Sequence, residues 1–382
     1  MTKRKLRTIA AVIALMLALA LVATSCNKKE EAPAGGGGGG DQVYTIGFNT
    51  WGSGVPILDL FGDETEYALD VLGMKGSRSS DNFTADKELE NIQNYISSQV
   101  DGIAFQASAD PVMPQAAEEC AKAKIPFVLL VFVGDDGDRA HISQNNEYYA
   151  GAVNSDLVLD GEVLGASALR DGNKTACIIG GNIGDNNMDQ RIAGFRSVFE
   201  AGGGRIIDEA RCTSPAECLQ KASDMLSSNR DVDCVYSLVG DYVPGTITAM
   251  DNLGLTGINV YSSCVDLDTA NYIKEGRVVE GNDGIGLSAV IAPAMLINYL
   301  DGHAILGPDG KAAEFKTRPF IVNKDNVDDY ISIFYTQGVH PITADLLKTL
   351  VWRFNNDVSY QTYADLVANG LTLEALLKAH GK

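Results

Sequence analysis

The chain has 382 residues and is acidic, with 30 lysine and arginine residues against 50 aspartate and glutamate residues. That balance excludes nucleic acid and anionic membrane surfaces as partners, because both repel a negatively charged protein. The length beyond the N-terminal segment suits two domains of ordinary size, and no later apolar run is long enough to span a membrane.

The N-terminal segment combines a basic head with an apolar stretch. Residues 3–7 carry positive charge, and the apolar stretch 9–23 is too short to span a bilayer as a stable anchor. Residues 1–25 are therefore predicted to be a signal peptide. They end in Ala-Thr-Ser before Cys26, which resembles a bacterial lipobox and implies that Cys26 carries a lipid. Ordinary cleavage that leaves Cys26 as a free thiol is the alternative. Residues 26–42 are polar and then glycine-rich, a composition typical of a flexible linker.

Beyond residue 42, short β-type runs alternate with amphipathic helical patterns. Leu89, Ile92 and Ile96, for example, recur at helical spacing before the next apolar strand pattern. The predicted strands are 43–49, 102–106, 126–132, 175–180, 205–210, 233–238 and 257–261. The predicted helices are 86–100, 111–124, 149–169, 190–200, 215–226 and 243–253. Repeated strand–helix units predict an α/β fold with parallel sheets covered by helices, whose ligands lie at the carboxyl ends of the strands.

Cysteine and histidine usage gives no sign of a metal site or of catalytic chemistry. Cys212 and Cys218 flank a short turn between a strand and a helix, where an oxidising compartment allows a disulfide, and two free thiols are the alternative. The sequence lacks the motifs of zinc proteases, serine hydrolases and P-loop proteins, and its four histidines lack metal-ligand spacing. We therefore predict no enzyme activity, no cofactor and no metal site.

Several short patterns occur in one order along the chain, at residues 85–93, 101–106, 123–128, 141–146 and 191–195. They resemble, in turn, a helix after the second strand, a third strand, the turn into a fourth strand, a first interdomain crossing and an Arg-x-x-Gly-Phe element. The family that carries these elements is the type I periplasmic binding proteins, specifically the ribose-binding-protein branch, which delivers simple sugars to ABC transporters. The resemblance extends from residue 43 to about residue 327.

The resemblance implies two Rossmann-like lobes with parallel sheets, joined by a hinge that the chain crosses several times. The first lobe would contain residues 43–144 and 283–317. The second lobe would contain residues 145–282 and 318–382, including a C-terminal helical extension packed on it. Ligand would bind in the cleft between the lobes and hold them closed.

The resemblance also implies a set of cleft residues. Arg191 matches the family arginine that contacts the sugar, and an ion pair with Asp185 or Asp189 is the alternative for it. Trp51 would stack on one face of the ligand, and a tryptophan that only caps its loop is the alternative. The remaining implied ligand-binding residues are Asn49, Gln106, Asp241, Tyr242, Ser263 and Asn282.

Some positions depart from the sugar-binding pattern. Residues 130–133 are apolar where relatives carry a polar pair, and residues 239–241 and 262–263 lack the Asn-Asp and the aspartate of relatives. A sugar site needs many paired acceptors, because each unmatched buried hydroxyl costs about 1 to 3 kcal/mol. The departures therefore predict a pocket that is more apolar and aromatic than a sugar site. A simple sugar or sugar derivative is the first prediction, and a deoxy sugar or nucleoside is the alternative.

The resemblance further implies an exported, monomeric protein, anchored by its lipid to a bacterial membrane and facing the periplasm or the cell exterior. Its partners would be a sugar-like small molecule, an ABC permease with its ATPase, and the membrane through the lipid anchor. A ligand sensor that presents its closed form to a membrane receptor or histidine kinase is the alternative, because the fold would be the same.

Overall fold

Two six-stranded sheets form the frame of the protein in a computed structural model that describes residues 42–108 and 112–382. The strands in these ranges are β1 (Thr45–Thr50), β2 (Lys75–Ser80), β3 (Gly102–Ala107), β4 (Phe127–Val133), β5 (Tyr149–Ser155), β6 (Thr175–Ile179), β7 (Arg205–Ala210), β8 (Cys234–Ser237), β9 (Asn259–Ser263), β10 (Glu280–Asp283), β11 (Glu314–Thr317) and β12 (Phe320–Asn323). The first sheet has the order β11-β5-β4-β3-β1-β2, and the second has the order β12-β10-β9-β8-β6-β7. Neighbouring strands run parallel except β10 and β12.

Helices connect the strands and cover the sheets. They are α1 (Pro56–Val71), α2 (Ala85–Ser97), α3 (Val112–Ala123), α4 (Asp136–Asn145), α5 (Leu157–Arg170), α6 (Asn186–Ala201), α7 (Pro215–Ser228), α8 (Val243–Leu253), α9 (Leu267–Glu275), α10 (Leu287–Leu300), α11 (Val327–Phe334), α12 (Ala344–Lys348), α13 (Tyr360–Asp365) and α14 (Leu373–Ala379). Aspartate caps begin several of them; the Asp185 carboxylate, for example, accepts from the backbone N–H of Asn187 at the start of α6. The predicted α/β fold is confirmed.

The chain leaves the first sheet only after β5. Residues 149–169 are predicted as one helix, but Tyr149–Ser155 is a strand and the helix begins at Leu157. This strand pairs in parallel with β4 and is buried along most of its length, so hydrogen bonds to a distant segment decide its conformation. The predicted lobe boundary after Gln144 is therefore wrong by one strand, because the first crossing follows Ser155.

Two further crossings frame helix α10. The chain passes from β10 in the second sheet to α10, which packs on β3, β4 and β5 of the first sheet. It returns between Thr317 at the end of β11 and Phe320 at the start of β12. Helix α10 is buried from Leu287 through Asn298, because the first sheet covers one side and α1 covers another. The hinge between the two sheets therefore consists of three short segments.

The C-terminal extension returns to the first sheet. After α11, which packs against α9, the segment containing α12 and α13 lies against α1, α10 and β11. The Tyr67 hydroxyl of α1 donates to the Ile342 carbonyl at 2.9 Å, and the Asn298 side-chain amide of α10 donates to the Leu350 carbonyl at 2.8 Å. The prediction that the extension packs on the second lobe is wrong for this segment, because apolar α10 needs cover on its outer face. Of the helices in this extension, α14 packs against α11 of the second lobe.

A disulfide joins Cys212 and Cys218 and closes the turn before α7, so the structure has the bonded form of the two that the sequence leaves open. The predicted signal peptide, Cys26 and nearly all of the linker lie outside the described residues. In the ranges that the structure describes, no helix combines the length and apolar character needed to cross a bilayer.

Candidate functional site

A cavity of about 730 Å³ lies where the carboxyl ends of both sheets face each other. Its wall on the first sheet comes from the segments that follow β1, β2 and β3, together with the end of β4 and the start of α1. Its wall on the second sheet comes from the segments that follow β6, β7, β8 and β9. The cavity therefore occupies the edge at which parallel α/β sheets bind ligands.

Aromatic and aliphatic side chains form the first-sheet wall. Trp51 meets Phe83 edge to face with ring centroids 6.3 Å apart, and Phe61 meets Phe132 in the same way at 6.1 Å. Phe83 is 48 % exposed, so its ring is available to a ligand. Ser108 is the one residue with a hydroxyl on this wall among the described residues. Such a surface suits the flat apolar face of a ring.

A buried polar network holds the two loops that carry the Trp51 and Phe83 rings. The Asn49 side-chain amide donates to one Asp81 carboxylate oxygen at 2.6 Å, and the Asn91 amide donates to the other at 2.8 Å. Burial raises the pKa of Asp81 to about 6, and the two amide donors oppose that rise. The Phe83 N–H donates to the Trp51 carbonyl at 2.9 Å and ties the loops together. Asn49 therefore positions the aromatic wall from behind and does not line the cavity.

Gln106 also lies behind this wall. It is fully buried at the end of β3, and its backbone N–H donates to the Asn49 side chain at 2.8 Å. Neither polar atom of its side chain has a hydrogen-bond partner within residues 42–108 and 112–382. Gln106 is thus one layer away from the cavity that the sequence assigned to it.

Arg191 reaches the second-sheet wall from α6 but is only 1 % exposed. Its Nε donates to Asp160 of α5 at 2.7 Å, and its Nη2 donates to the Cys264 sulfur at 3.2 Å. Its Nη1 has a single oxygen partner, the Asn187 carbonyl at 3.4 Å. Asp160 therefore neutralises the guanidinium in place of the predicted Asp185 or Asp189, and Nη1 retains donor capacity toward the cavity.

Asp160 organises two more of the predicted residues. The Ser263 hydroxyl donates to its carboxylate at 3.0 Å, and the Asn282 side-chain amide donates to its backbone carbonyl at 2.8 Å. Both residues are fully buried and lie behind the main cavity. Sequence reasoning missed Asp160, although it falls on the face of α5 that carries Leu157 and Leu164, where a carboxylate among buried positions is itself a signal.

Four carboxylates line the rest of the second-sheet wall, and they belong to Asp185, Asp241, Asp266 and Asp268. Burial raises the pKa of Asp241 to about 6, and the charge of Asp266 adds to the rise. Burial also raises the pKa of Tyr242, with the charge of Asp241 contributing. The structure thus brings Trp51, Arg191, Asp241 and Tyr242 together at one cavity.

Sequence reasoning missed Phe83 and three of these carboxylates. Asp185 and Asp266 each cap a helix, which is a readable pattern, since both stand just before an amphipathic segment. Phe83 carries no comparable signal. Phe83 has a left-handed backbone conformation with φ of 61°, and the residue before it, Asn82, is also left-handed. This pair of residues directs the Phe83 ring into the cavity.

Comparison with known proteins agrees with this geometry. The model of a family described as periplasmic binding protein domain matches residues 46–293, so the chain belongs to that family. The predicted family is confirmed. Its members bind substrates and are not known as enzymes, and the family implies an extracytoplasmic location. No curated protein sequence matches the chain.

Solved structures share the fold at low sequence identity. An ABC transporter periplasmic solute binding protein from Actinobacillus succinogenes 130z with bound D-allose is 17% identical, with a TM-score of 0.68, and the match covers 75% of this chain and 100% of that one. The binding protein of the arabinose ABC transporter from Shewanella sp. ANA-3 is 17% identical with a TM-score of 0.66, covering 75% and 94%. A periplasmic ribose ABC transporter protein from Conexibacter woesei DSM 14684 is 19% identical with a TM-score of 0.64, covering 78% and 97%.

Proposed function

We propose that this protein captures a small molecule, a simple sugar or sugar derivative, outside the cytoplasm and delivers it to an ABC importer. The observation that carries the proposal is the cavity of about 730 Å³, to which both sheets contribute side chains at their carboxyl ends. A ligand there would contact both walls at once, which is the condition for a ligand to favour a closed form. The sugar-binding structures that share the fold support the choice of ligand.

In this proposal the two lobes move about the three crossing segments. The first lobe is built on the sheet from β1 to β5 and β11, and the second on the sheet from β6 to β10 and β12. Trp51 would stack on the ligand from the first lobe, while Arg191, Asp241 and Tyr242 would bind its polar groups from the second. Closure would then create the surface that the permease recognises.

Capture should be visible in the emission of Trp51. Because its ring lines the cavity, we expect a bound sugar to change the intensity or wavelength of tryptophan fluorescence when the mature protein is titrated with D-allose, L-arabinose, D-ribose and myo-inositol. The change should vanish in Trp51→Phe and persist in Trp352→Phe, since Trp352 stacks on His303 and does not line the cavity. A calorimetrically confirmed sugar that leaves wild-type emission unaltered would contradict the placement of Trp51.

The proposal includes a lipid anchor at Cys26 after removal of residues 1–25. A short flexible tether would keep the protein concentrated beside its membrane partner, which raises the effective concentration for docking. We expect a fatty-acid analogue fed to cells to label the wild type and the control variant Cys120→Ala, whose thiol is buried. Cys26→Ala should remain unlabelled, and label on that variant would refute the anchor.

A further inference from the structure

We propose that the cleft selects a cation, namely a ring-bearing small molecule with a protonated amine. The inference rests on the capture function proposed above and narrows the chemical class of its ligand. It places the apolar face of the ring against the first-sheet wall and the ammonium group against the second-sheet wall.

The first argument is the charge of the second-sheet wall. Asp185, Asp241, Asp266 and Asp268 line the cavity, and none of the four forms an ion pair with a residue in the described ranges. Arg191 is the one basic residue that lines the cavity there, and Asp160 already neutralises it at 2.7 Å. Backbone N–H groups at two helix starts donate to Asp185 and Asp266, but no basic side chain within residues 42–108 and 112–382 pairs with any of the four carboxylates, so the wall is negatively charged; it repels carboxylate and phosphate ligands and attracts cations.

The second argument is a surplus of buried acceptors just behind the second-sheet wall of the cavity. A small cavity of about 10 Å³ shares Cys264 and Ile285 with the main one and is lined by Asn282 and Asp283. The Oδ1 atom of Asn282 is buried without a hydrogen-bond partner in the parts of the chain described, and Oδ1 of Asp283 has no side-chain donor there. Asn282 is 0% and Asp283 5% exposed. Unpaired buried acceptors call for donors, and an ammonium group supplies three donors and no acceptor.

The third argument is the aromatic wall that faces these carboxylates. An ammonium group near the ring faces of Trp51 or Phe83 gains a cation–π attraction, which strengthens when water is excluded. A neutral polyol gains no such attraction, and its hydroxyls, although they can donate to the carboxylates of the second-sheet wall, bring no counter-charge to them. The two walls together are therefore complementary to a flat apolar face joined to a positive charge.

The charge also couples binding to closure. In the open cleft, water solvates the more exposed carboxylates of this wall, above all Asp268, whereas closure over a neutral ligand would remove that water without supplying a counter-charge. A cationic ligand supplies the counter-charge at the moment the water leaves. Closure is thus expected to follow occupation by a cation and to be opposed by the empty or neutrally filled cleft.

Matched pairs of probes test the proposal by calorimetry on the mature protein. The pairs are D-glucosamine with D-glucose and benzylamine with benzyl alcohol, so that one arm offers an amino sugar and the other an aromatic amine. We expect the amine of at least one pair to bind tenfold or more tightly than its neutral partner, and its affinity to fall as salt is raised. Neutral partners that bind as tightly as the amines, or amines that do not bind, overturn the proposal. Binding of D-glucose or another neutral sugar without amine preference would overturn it while leaving sugar capture intact.

Two aspartate substitutions in the cavity wall test, independently of the probe pairs, whether the carboxylates select the positive charge. Asp268→Asn alters an exposed side chain that lines the cavity, and Asp241→Asn preserves the shape of a half-buried one. Each is expected to weaken binding of the preferred amine about tenfold, and Asp268→Asn, at a residue with no assigned contact to a neutral sugar, is expected to leave binding of the neutral partner unchanged. Asp231→Asn, an exposed aspartate outside the cavity, is the matched control and should change neither. Undiminished amine affinity in both cavity variants would show that the carboxylates do not select the charge.

Discussion

Replacing Asp160 with alanine is expected to lower the free energy of unfolding by about 3 to 5 kcal/mol, because it leaves a buried guanidinium without its counter-ion. Arg191 is 1 % exposed, and its Nε lies 2.7 Å from the Asp160 carboxylate. The change also removes the acceptor of the Ser263 hydroxyl. Urea unfolding followed by circular dichroism measures the loss, and the same variant should bind ligand weakly because Arg191 loses its fixed orientation.

Two further variants separate the charge from the packing. The double variant Asp160→Ala/Arg191→Met removes both buried charges and should recover much of the stability that the single change loses, without restoring ligand binding. Asp189→Ala breaks the Asp189–Arg211 pair, in which the aspartate side chain is 44% exposed, and should cost less than about 1 kcal/mol. A loss below about 1 kcal/mol for Asp160→Ala would mean that the buried pair does not hold α5 and α6 in register.

Gly194→Ala is expected to destabilise the protein by about 3 kcal/mol, because α5 and α6 pack backbone to backbone at this point. A Cβ atom at Gly194 would lie 2.0 Å from the Val158 carbonyl oxygen, and one at Gly161 would lie 2.0 Å from the Arg191 carbonyl oxygen. Neither neighbour is a flexible side-chain end, so the helices must separate. Because these two helices carry Asp160 and Arg191, the variant should weaken ligand binding together with stability.

Thermal unfolding with and without ligand measures both effects of Gly194→Ala. The control is Gly286→Ala, since Gly286 has φ of −64° and a Cβ there would meet only the Phe61 ring at 3.6 Å. That substitution should change the melting temperature little. A Gly194→Ala protein as stable as the control would contradict the close packing of α5 and α6.

Local patterns were sufficient for the α/β class of the fold and for many of its elements. Helical spacing in the segment of α2 and the apolar run of β4 each predict their element, since period and burial agree there. The segment of β5 defeats such reasoning because its Ala-Gly-Ala-Val core has no clear period and continues into the pattern of α5. Pairing with β4 on one side and β11 on the other, a contact between distant segments, makes it a strand.

The candidate site also contains some features that local sequence predicts and others that only tertiary contacts decide. Trp51 directly follows β1, and Asp241 and Tyr242 lie in the short segment between β8 and α8. All three reach the cavity because the carboxyl ends of parallel strands meet at one edge. Asn49 and Ser263 are strand residues themselves, and they turn inward to satisfy buried partners. Position along a strand thus predicts the edge, whereas the choice between cavity and interior depends on which neighbour offers a hydrogen bond.

The sequence by itself determined the alternation of strands and helices, the edge at which the cavity lies and the family, because these follow from periodicity and from short motifs in a set order. Tertiary structure alone decided that Asp160 neutralises Arg191, that the segment of α12 and α13 covers α10, and that carboxylates face an aromatic wall. Each of these joins residues far apart in the chain. Their partners are selected by the free energy of burying charge and apolar surface in one packed molecule, which no local pattern records.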